Sequence, residues 1–161
     1  MNQKILMDYV AYNRWANQRL LEPSQEDDLI LPIQSSFPSL AQTWLHIWDA
    51  EVLWLSRLSG ISLASLPSKS KNFQADNIAQ LIADQDQKWL DWITEKDDAM
   101  LSKNYKYTTI TGKEYEQVIW ETVLHCMNHS TYHRGQVVTI MHQIGLKNIV
   151  PTDFVFYKRS T

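Results

Sequence analysis

The sequence HCMNHSTYHRGQ, residues 125–136, places three histidines four positions apart. On an α-helix a step of four residues rotates the chain by about 400° and advances it by about 6 Å, so His125, His129 and His133 share one stripe. Imidazole is the commonest protein ligand for zinc, nickel and related metals. Three of the five histidines in the chain lie here. The stretch therefore predicts a helix with a metal-binding face, which needs a further ligand from elsewhere in the fold.

Composition and periodicity predict helices on both sides of this segment. The chain has 161 residues with only four glycines and five prolines, and these cluster between segments whose apolar residues recur at helical spacing. The segments predict four long helices, at about residues 2–22, 38–59, 76–97 and 113–143. Residues 25–36 are expected to be irregular, residues 105–115 to form a short hairpin or ordered loop, and residues 146–161 to form a tail. The economical fold is an all-α four-helix bundle, with one domain over residues 1–161.

Charge and composition exclude several classes of function. The formal net charge of −3 gives no general attraction to nucleic acid or to an anionic membrane, and no run of Lys and Arg supplies a local one. No apolar stretch approaches the length of a membrane span, and the N-terminus lacks the apolar core of a signal peptide. The lone Cys126 rules out an internal disulfide framework and a zinc site of several cysteines. We therefore expect a cytoplasmic protein that binds neither nucleic acid nor membrane.

His46 is the natural partner of the histidine stripe. It lies among apolar residues of the second predicted helix, so we expect it to be at least partly buried and to need a partner for its ring nitrogens. His125 and His133 are about 12 Å apart along the helix axis, too far for the whole stripe to meet one ion. Spacing therefore leaves two pairs open, His125 with His129 or His129 with His133. His142 lies on the opposite side of the helix from His133 and is excluded.

Three histidines from two helices would make a site with a vacant position. Such a site leaves one corner of a tetrahedron open to water or substrate, which is typical of catalytic zinc. Neutral imidazoles leave the ion its full charge, which favours loss of a proton from a thiol or water bound there. Asp49, one turn beyond His46, is either an acceptor that orients the His46 ring or a solvated surface acid. Glu51 is expected to be a surface acid and Arg134 to form a structural ion pair.

Several motifs along the chain resemble those of one known family. They are His129-Ser-Thr-Tyr-His133-Arg-Gly-Gln with His125 upstream, Tyr12-Asn-Arg-Trp-Ala-Asn near the N-terminus, His46-Ile-Trp-Asp-Ala-Glu51-Val-Leu-Trp54-Leu in the second helix, and Pro151-Thr-Asp153-Phe in the tail. Together they resemble the DinB/YfiT-like family over essentially the whole chain.

The resemblance implies a bundle whose helices are connected in a non-sequential order and which is often a homodimer. It implies a metal triad of His46, His129 and His133 that binds nickel, zinc or a related divalent ion. His125 would then lie outside the ligand set, as a residue that lines the pocket or supports a ligand. Relatives include S-transferases that use bacillithiol, mycothiol or glutathione.

The expected function is therefore that of a metal-dependent enzyme acting on a small molecule. It would activate a low-molecular-weight thiol, as an S-transferase, or water, as a hydrolase. No His-Glu-x-x-His pattern supplies a general base. The alternative is consequently a non-catalytic, stress-associated bundle protein in which the metal ties helices together.

Overall fold

Four long helices pack side by side in the computed structural model, which describes residues 2–70 and 77–160. The elements, numbered in chain order, are α1 (Gln3–Leu21), α2 (Glu26–Ile30), α3 (Leu40–Leu58), α4 (Ile78–Thr94), α5 (Asp98–Leu101), β1 (Asn104–Thr108), β2 (Glu114–Val118), α6 (Ile119–Gln143) and α7 (Phe154–Ser160), with a 3-10 turn at Pro67–Ser70. This arrangement confirms the expected all-α bundle with a short hairpin before the last long helix. Within the described ranges, no helix is long and apolar enough to cross a lipid bilayer.

The long helices are not arranged around the bundle in their order along the chain. Helix α1 packs against α4 and α6, and α3 packs against the same two helices. Helices α1 and α3 therefore lie diagonally opposite each other, as do α4 and α6. The chain crosses the bundle after α1 and again after α4, which agrees with the non-sequential connection that the resemblance implied. This order places α3 directly beside α6, so their side chains can share one site.

Side-chain caps define the start of the first two long helices. The Asn2 side chain accepts a hydrogen bond from the Lys4 N–H at 2.8 Å, and the Ser39 hydroxyl accepts one from Gln42 at 3.2 Å. Because Ser39 is the cap, Pro38 lies outside α3, although the second helix was predicted to begin at about residue 38. Gly60 follows α3 with a φ of +81°, a left-handed conformation that commonly ends a helix.

Two predicted helix boundaries were wrong. The third long helix ends at Thr94 and not at residue 97, because Asp97 caps the separate helix α5 by accepting a hydrogen bond from Met100 at 2.7 Å. Its predicted start at Asp76 lies outside the described residues. The fourth begins at Ile119 and not near residue 113, because residues 114–118 pair with β1 in an antiparallel hairpin. Gly112, with a φ of +82°, supplies the left-handed conformation of the turn.

Two short helices, α2 and α7, form where the sequence predicted irregular structure and a tail, and α5 forms where it predicted no element. In α2, Asp28 and Gln25 cap each other's backbone, a reciprocal arrangement that stabilises a single turn. Helix α7 is anchored by Tyr157, which is buried and contacts the rings of Tyr12 and Trp15. These elements depend on local caps and on tertiary docking, and their sequences are too short to show a helical period.

Two apolar clusters occupy opposite ends of the bundle. One is built around Leu20, Trp44, Ile82 and Ile140, and the other around members that include Leu6, Trp89, Val123 and Met127. Every long helix also has at least one buried polar residue between the two clusters. The core is therefore interrupted by a polar layer at mid-height.

Candidate metal centre

Three histidines converge between helices α3 and α6. His46 comes from α3, and His129 and His133 are one turn apart on α6; one ring nitrogen of each lies within 4.8 Å of the other two. The ring centroids are 5.0 Å apart for His46 and His129, 4.5 Å for His46 and His133, and 4.3 Å for His129 and His133. Each Zn–N bond is about 2.0 Å long, so small side-chain rotations suffice to bring all three nitrogens onto one ion.

Burial keeps two of these histidines in the neutral form. The pKa of His129 is lowered to about 4. Burial is the largest cause, and the neighbouring charges of His133, His46 and His125 act in the same direction. Burial also lowers the pKa of His46, with a further contribution from His133, while Asp49 acts in the opposite direction. A neutral imidazole has a lone pair for a metal, whereas an imidazolium has none. Both rings are therefore ready to bind a cation at neutral pH.

The hydrogen bonds of the rings agree with a metal-binding role. His133 Nδ1 is 2.7 Å from Gln136 Oε1, so an Nδ1–H that donates to this oxygen leaves Nε2 with its lone pair free. His129 Nδ1 is buried and has no hydrogen-bond partner among the described residues. A buried ring nitrogen without a partner is costly, and a bound cation would satisfy it. Gln136 was not predicted as a site residue, although its position three residues after His133 is the signal that could have identified it.

Aromatic rings flank the histidine triad. The Phe37 ring lies 4.8 Å from the His46 ring and 5.7 Å from the His133 ring, between centroids. The Tyr132 ring lies 5.0 Å from the His133 ring, between centroids, and Tyr132 is 67% exposed. His46 and His129 are themselves only partly buried. The triad is therefore shielded by apolar groups and still accessible to a small molecule.

The two further candidates from the sequence have different surroundings. Asp49 is buried, and its two carboxylate oxygens accept hydrogen bonds from the backbone and hydroxyl of Ser68 at 2.8 and 2.6 Å. It therefore anchors the chain that follows α3, and it influences His46 only through its charge. The His125 ring lies 6.4 Å from that of His129 and 5.1 Å from that of Trp54. His125 is thus beside the triad, on the side that faces Trp54.

The donor set fits a divalent transition metal. The cluster that could hold an ion consists of three imidazoles and includes no carboxylate or thiolate. Imidazole suits zinc, nickel, copper and iron, whereas calcium and magnesium require oxygen ligands. The geometry and the protonation state therefore agree with metal binding, without selecting among these metals.

Comparison with known proteins identifies the family of the chain. The family model described as the DinB family matches residues 1–161. The chain belongs to the DinB family. It is 25% identical over 160 residues to the protein DinB of Bacillus subtilis (strain 168), covering 91% of this chain and 89% of that protein. In fold it is similar to the crystal structure of a DinB-like protein from Bacillus cereus ATCC 10987, with a TM-score of 0.75, 19% identity, and coverage of 94% of this chain and 99% of that one.

In this DinB-family chain the polar layer of the core lies directly behind the triad. The layer comprises six buried residues from all four long helices: Asn13, Asn17, Glu51, Asp86, Ser130 and Arg134. Ser130 and Arg134 follow His129 and His133 in the sequence and point to the interior of the bundle. Glu51 is 0% exposed, so the expectation that it is a surface acid was wrong.

Hydrogen bonds join the whole layer. The Glu51 carboxylate accepts from Ser130 at 2.8 Å and from Asn13 at 2.9 Å. Asp86 accepts from Asn17 at 3.0 Å, and Arg134 donates to the side-chain oxygens of Asn13 and Asn17. Arg134 therefore reaches the two acids through asparagines and not by the direct ion pair that was predicted. Two asparagines four residues apart on α1, between apolar positions, were the signal for this layer in the sequence.

Proposed function

We propose that the protein is a metal-dependent enzyme that activates a small-molecule thiol for S-transfer. The observation that carries the proposal is the convergence of three imidazoles from two helices, in a cluster that among the described residues has no carboxylate ligand. Three protein ligands leave a coordination position for substrate. A divalent ion held there supplies positive charge that lowers the pKa of a bound thiol or water.

The chain's own residues would prepare the site for this chemistry. His46, His129 and His133 hold the cation, and Gln136 fixes the orientation of the His133 ring through its hydrogen bond. Phe37 covers the rings of His46 and His133 and limits the access of water to that side. A less hydrated site strengthens the electrostatic attraction between the cation and an anionic nucleophile.

A thiol is favoured over water as the nucleophile because the triad, found among residues 2–70 and 77–160, includes no acidic residue that could act as a base. A thiol has an ordinary pKa of about 8.5, whereas that of bulk water is about 15.7. A thiol therefore needs less help to lose its proton than water does. Hydrolysis by activated water is the second reaction that this donor set would support.

A purely structural metal is less consistent with the surroundings of the triad. The four long helices are already joined by the buried polar layer of Asn13, Asn17, Glu51, Asp86, Ser130 and Arg134. His46 and His129 are partly exposed, whereas structural zinc has all four positions filled by protein ligands. These two features support the catalytic alternative over the non-catalytic one.

Metal binding is tested by comparing the wild type with His133→Ala, and His142→Ala is the matched control. His142 is an exposed histidine on the same helix. We expect the wild type and His142→Ala to bind about one equivalent of zinc or nickel and to gain thermal stability from it. His133→Ala should lose both properties. Metal content is measured by plasma mass spectrometry and stability by thermal unfolding; equal metal content in all three proteins would refute the site.

Catalysis is tested separately with metal-loaded protein and an electrophile. Monochlorobimane is offered together with bacillithiol, mycothiol, glutathione or cysteine, and adduct formation is followed by fluorescence. We expect a metal-dependent rate with at least one thiol in the wild type and in His142→Ala, and loss of that rate in His133→Ala. A protein that binds metal but shows no such rate with any of these thiols would contradict the transferase proposal and leave metal binding intact.

A further inference from the structure

A second cluster of side chains lies on the far side of His125 from the triad. It consists of Trp54 and Arg57 on α3, Tyr107 on β1, and His125 itself. The Trp54 ring contacts His125 at 5.1 Å and Tyr107 at 5.4 Å, between centroids. The Arg57 guanidinium carbon lies 4.5 Å from the centre of the Trp54 ring and 4.9 Å from that of Tyr107. The cluster therefore extends from the triad along α3 and ends at the positively charged guanidinium of Arg57.

Arg57 is buried without an acidic partner. It is 5% exposed, and in residues 2–70 and 77–160 no side chain or carbonyl accepts a hydrogen bond from it; its Nε is fully enclosed and unpaired. Burial lowers the pKa of Arg57, and the groups that oppose this effect are the phenols of Tyr107 and Tyr105, with no carboxylate among them. A buried guanidinium without a counter-charge is costly to the folded protein. An anion supplied by a ligand would remove that cost.

The shape around the guanidinium restricts the anion. Rings of Trp54 and Tyr107 lie near the guanidinium carbon, which leaves the in-plane N–H groups as its route to a ligand. A planar carboxylate matches that edge with two parallel hydrogen bonds. The phenol oxygen of Tyr107 is held by its own bond to Gln117 at 2.9 Å, so the cluster presents one positive charge. A single charge suits a carboxylate better than a phosphate dianion.

We infer that Trp54, Arg57, Tyr107 and His125 form a subsite for a carboxylate of the substrate. The inference rests on the proposed function, which places the thiol of the substrate at the triad. It adds that the opposite end of the substrate is a carboxylate. The Arg57 guanidinium packs on the ring of Trp54, and Trp54 is eight residues after His46 on the same helix, an axial separation of about 12 Å. The substrate is therefore an elongated molecule with a thiol at one end and a carboxylate roughly that distance away.

The test uses three ligands with the same eight-carbon chain, 8-mercaptooctanoate, 8-mercapto-1-octanol and octanoate, with 1-octanol as a reference. Binding to zinc-loaded wild type, Arg57→Gln and Arg159→Gln is measured by calorimetry. Arg159 is an exposed arginine on α7, so its variant controls for the loss of one charge. We expect the mercapto acid to bind the wild type and Arg159→Gln at least about tenfold tighter than the mercapto alcohol. Arg57→Gln should remove this preference and keep the affinity for the alcohol.

Chain length and a second anion sharpen the test. 3-Mercaptopropionate is too short to reach Arg57 from the triad, so it should show no such preference over 3-mercapto-1-propanol. Octyl phosphate should bind more weakly than octanoate, and the opposite order would overturn the assignment to a carboxylate. Equal binding of acid and alcohol to the wild type would overturn the subsite, even if Arg57→Gln failed to fold.

The two proposals can fail independently. If the triad binds no metal, octanoate should still bind the wild type more tightly than 1-octanol, and Arg57→Gln should abolish that difference. If the triad binds metal and thiols but Arg57→Gln changes nothing, the carboxylate subsite is refuted and the proposed function stands.

Discussion

The bond between His133 and Gln136 determines which nitrogen of the His133 ring is available to a cation. With Gln136 Oε1 at 2.7 Å from Nδ1, the ring is held with Nε2 directed away from this contact. A residue that orients a metal ligand in this way commonly matters for metal affinity, because without it the ligand is held less firmly in the binding geometry. His129 Nδ1 has no corresponding partner among residues 2–70 and 77–160, so the two α6 histidines of the triad are held by different means.

We expect Gln136→Ala to weaken metal binding by about 10- to 100-fold without preventing it. The reason is that the His133 ring loses its orienting acceptor while all three ligands remain. Affinity is measured by competition with a chromophoric chelator, and Gln143→Ala, an exposed position at the end of α6, is the control. An unchanged zinc affinity in Gln136→Ala would contradict this role.

At the scale of helices, the buried polar layer sets which faces of α1, α3, α4 and α6 meet. Its hydrogen bonds connect Asn13 and Asn17 to Glu51 and Asp86 across the bundle. An axial slip or rotation of one helix would leave these groups unpaired in the interior, at a cost of about 1–3 kcal/mol for each group. The layer therefore favours one register of the four helices over others that pack their apolar residues equally well.

The layer also makes stability depend on pH. Burial is the largest cause that raises the pKa of Asp86 well above its usual range, and the neighbouring Glu51 raises it further. The folded protein therefore holds a proton at pH values where the unfolded chain, with an Asp pKa of about 3.9, has lost it. This contribution to stability is full below that value and declines as pH rises towards the folded pKa of Asp86.

We expect Asp86→Asn to gain stability relative to the wild type as pH increases from 4 towards 8. The amide resembles the protonated acid and cannot ionise, so the variant avoids a loss of up to about 1.4 kcal/mol per pH unit. Chemical unfolding at several pH values measures the free energy of unfolding of both proteins. The titration of the histidines contributes to both values and cancels in their difference. Asp84→Asn removes an exposed carboxyl on the same helix and is the control. If the difference in unfolding free energy between Asp86→Asn and the wild type did not change with pH, the pKa of the Asp86 carboxyl would not be raised.

At the scale of the whole molecule, the order of the helices creates the site. Because α1 and α3 are diagonal, α3 lies beside α6 along much of its length, and His46 meets His129 and His133. The same contact places Trp54 opposite His125 and, through the hairpin, Tyr107 against Arg57. The triad and the proposed carboxylate subsite are thus two parts of one helix pair. The homodimer expected from the resemblance stays a prediction, which light scattering of the purified protein will check.

Much of the bundle follows from local properties of the chain. Helical spacing of apolar residues and the small number of glycines and prolines predict the long helices, because these signals act within a few residues. The start of α6 was misplaced because the residues just before it form strand β2. That strand depends on pairing with β1, a contact between separate segments. Helix α7 was missed because docking of Tyr157 stabilises it.

The candidate site divides in the same way. Spacing on one helix identified the histidine stripe and showed that its members cannot all bind one ion, since that geometry is internal to the helix. It left two pairs open, and the position of His46 relative to α6 brings His129 and His133 together. The burial of Glu51 and Arg57 and the contact of Gln136 with His133 also arise from helix packing. Side chains that are distant in the sequence acquire their environment only when the helices pack, because burial and pKa depend on neighbours that the local sequence does not specify.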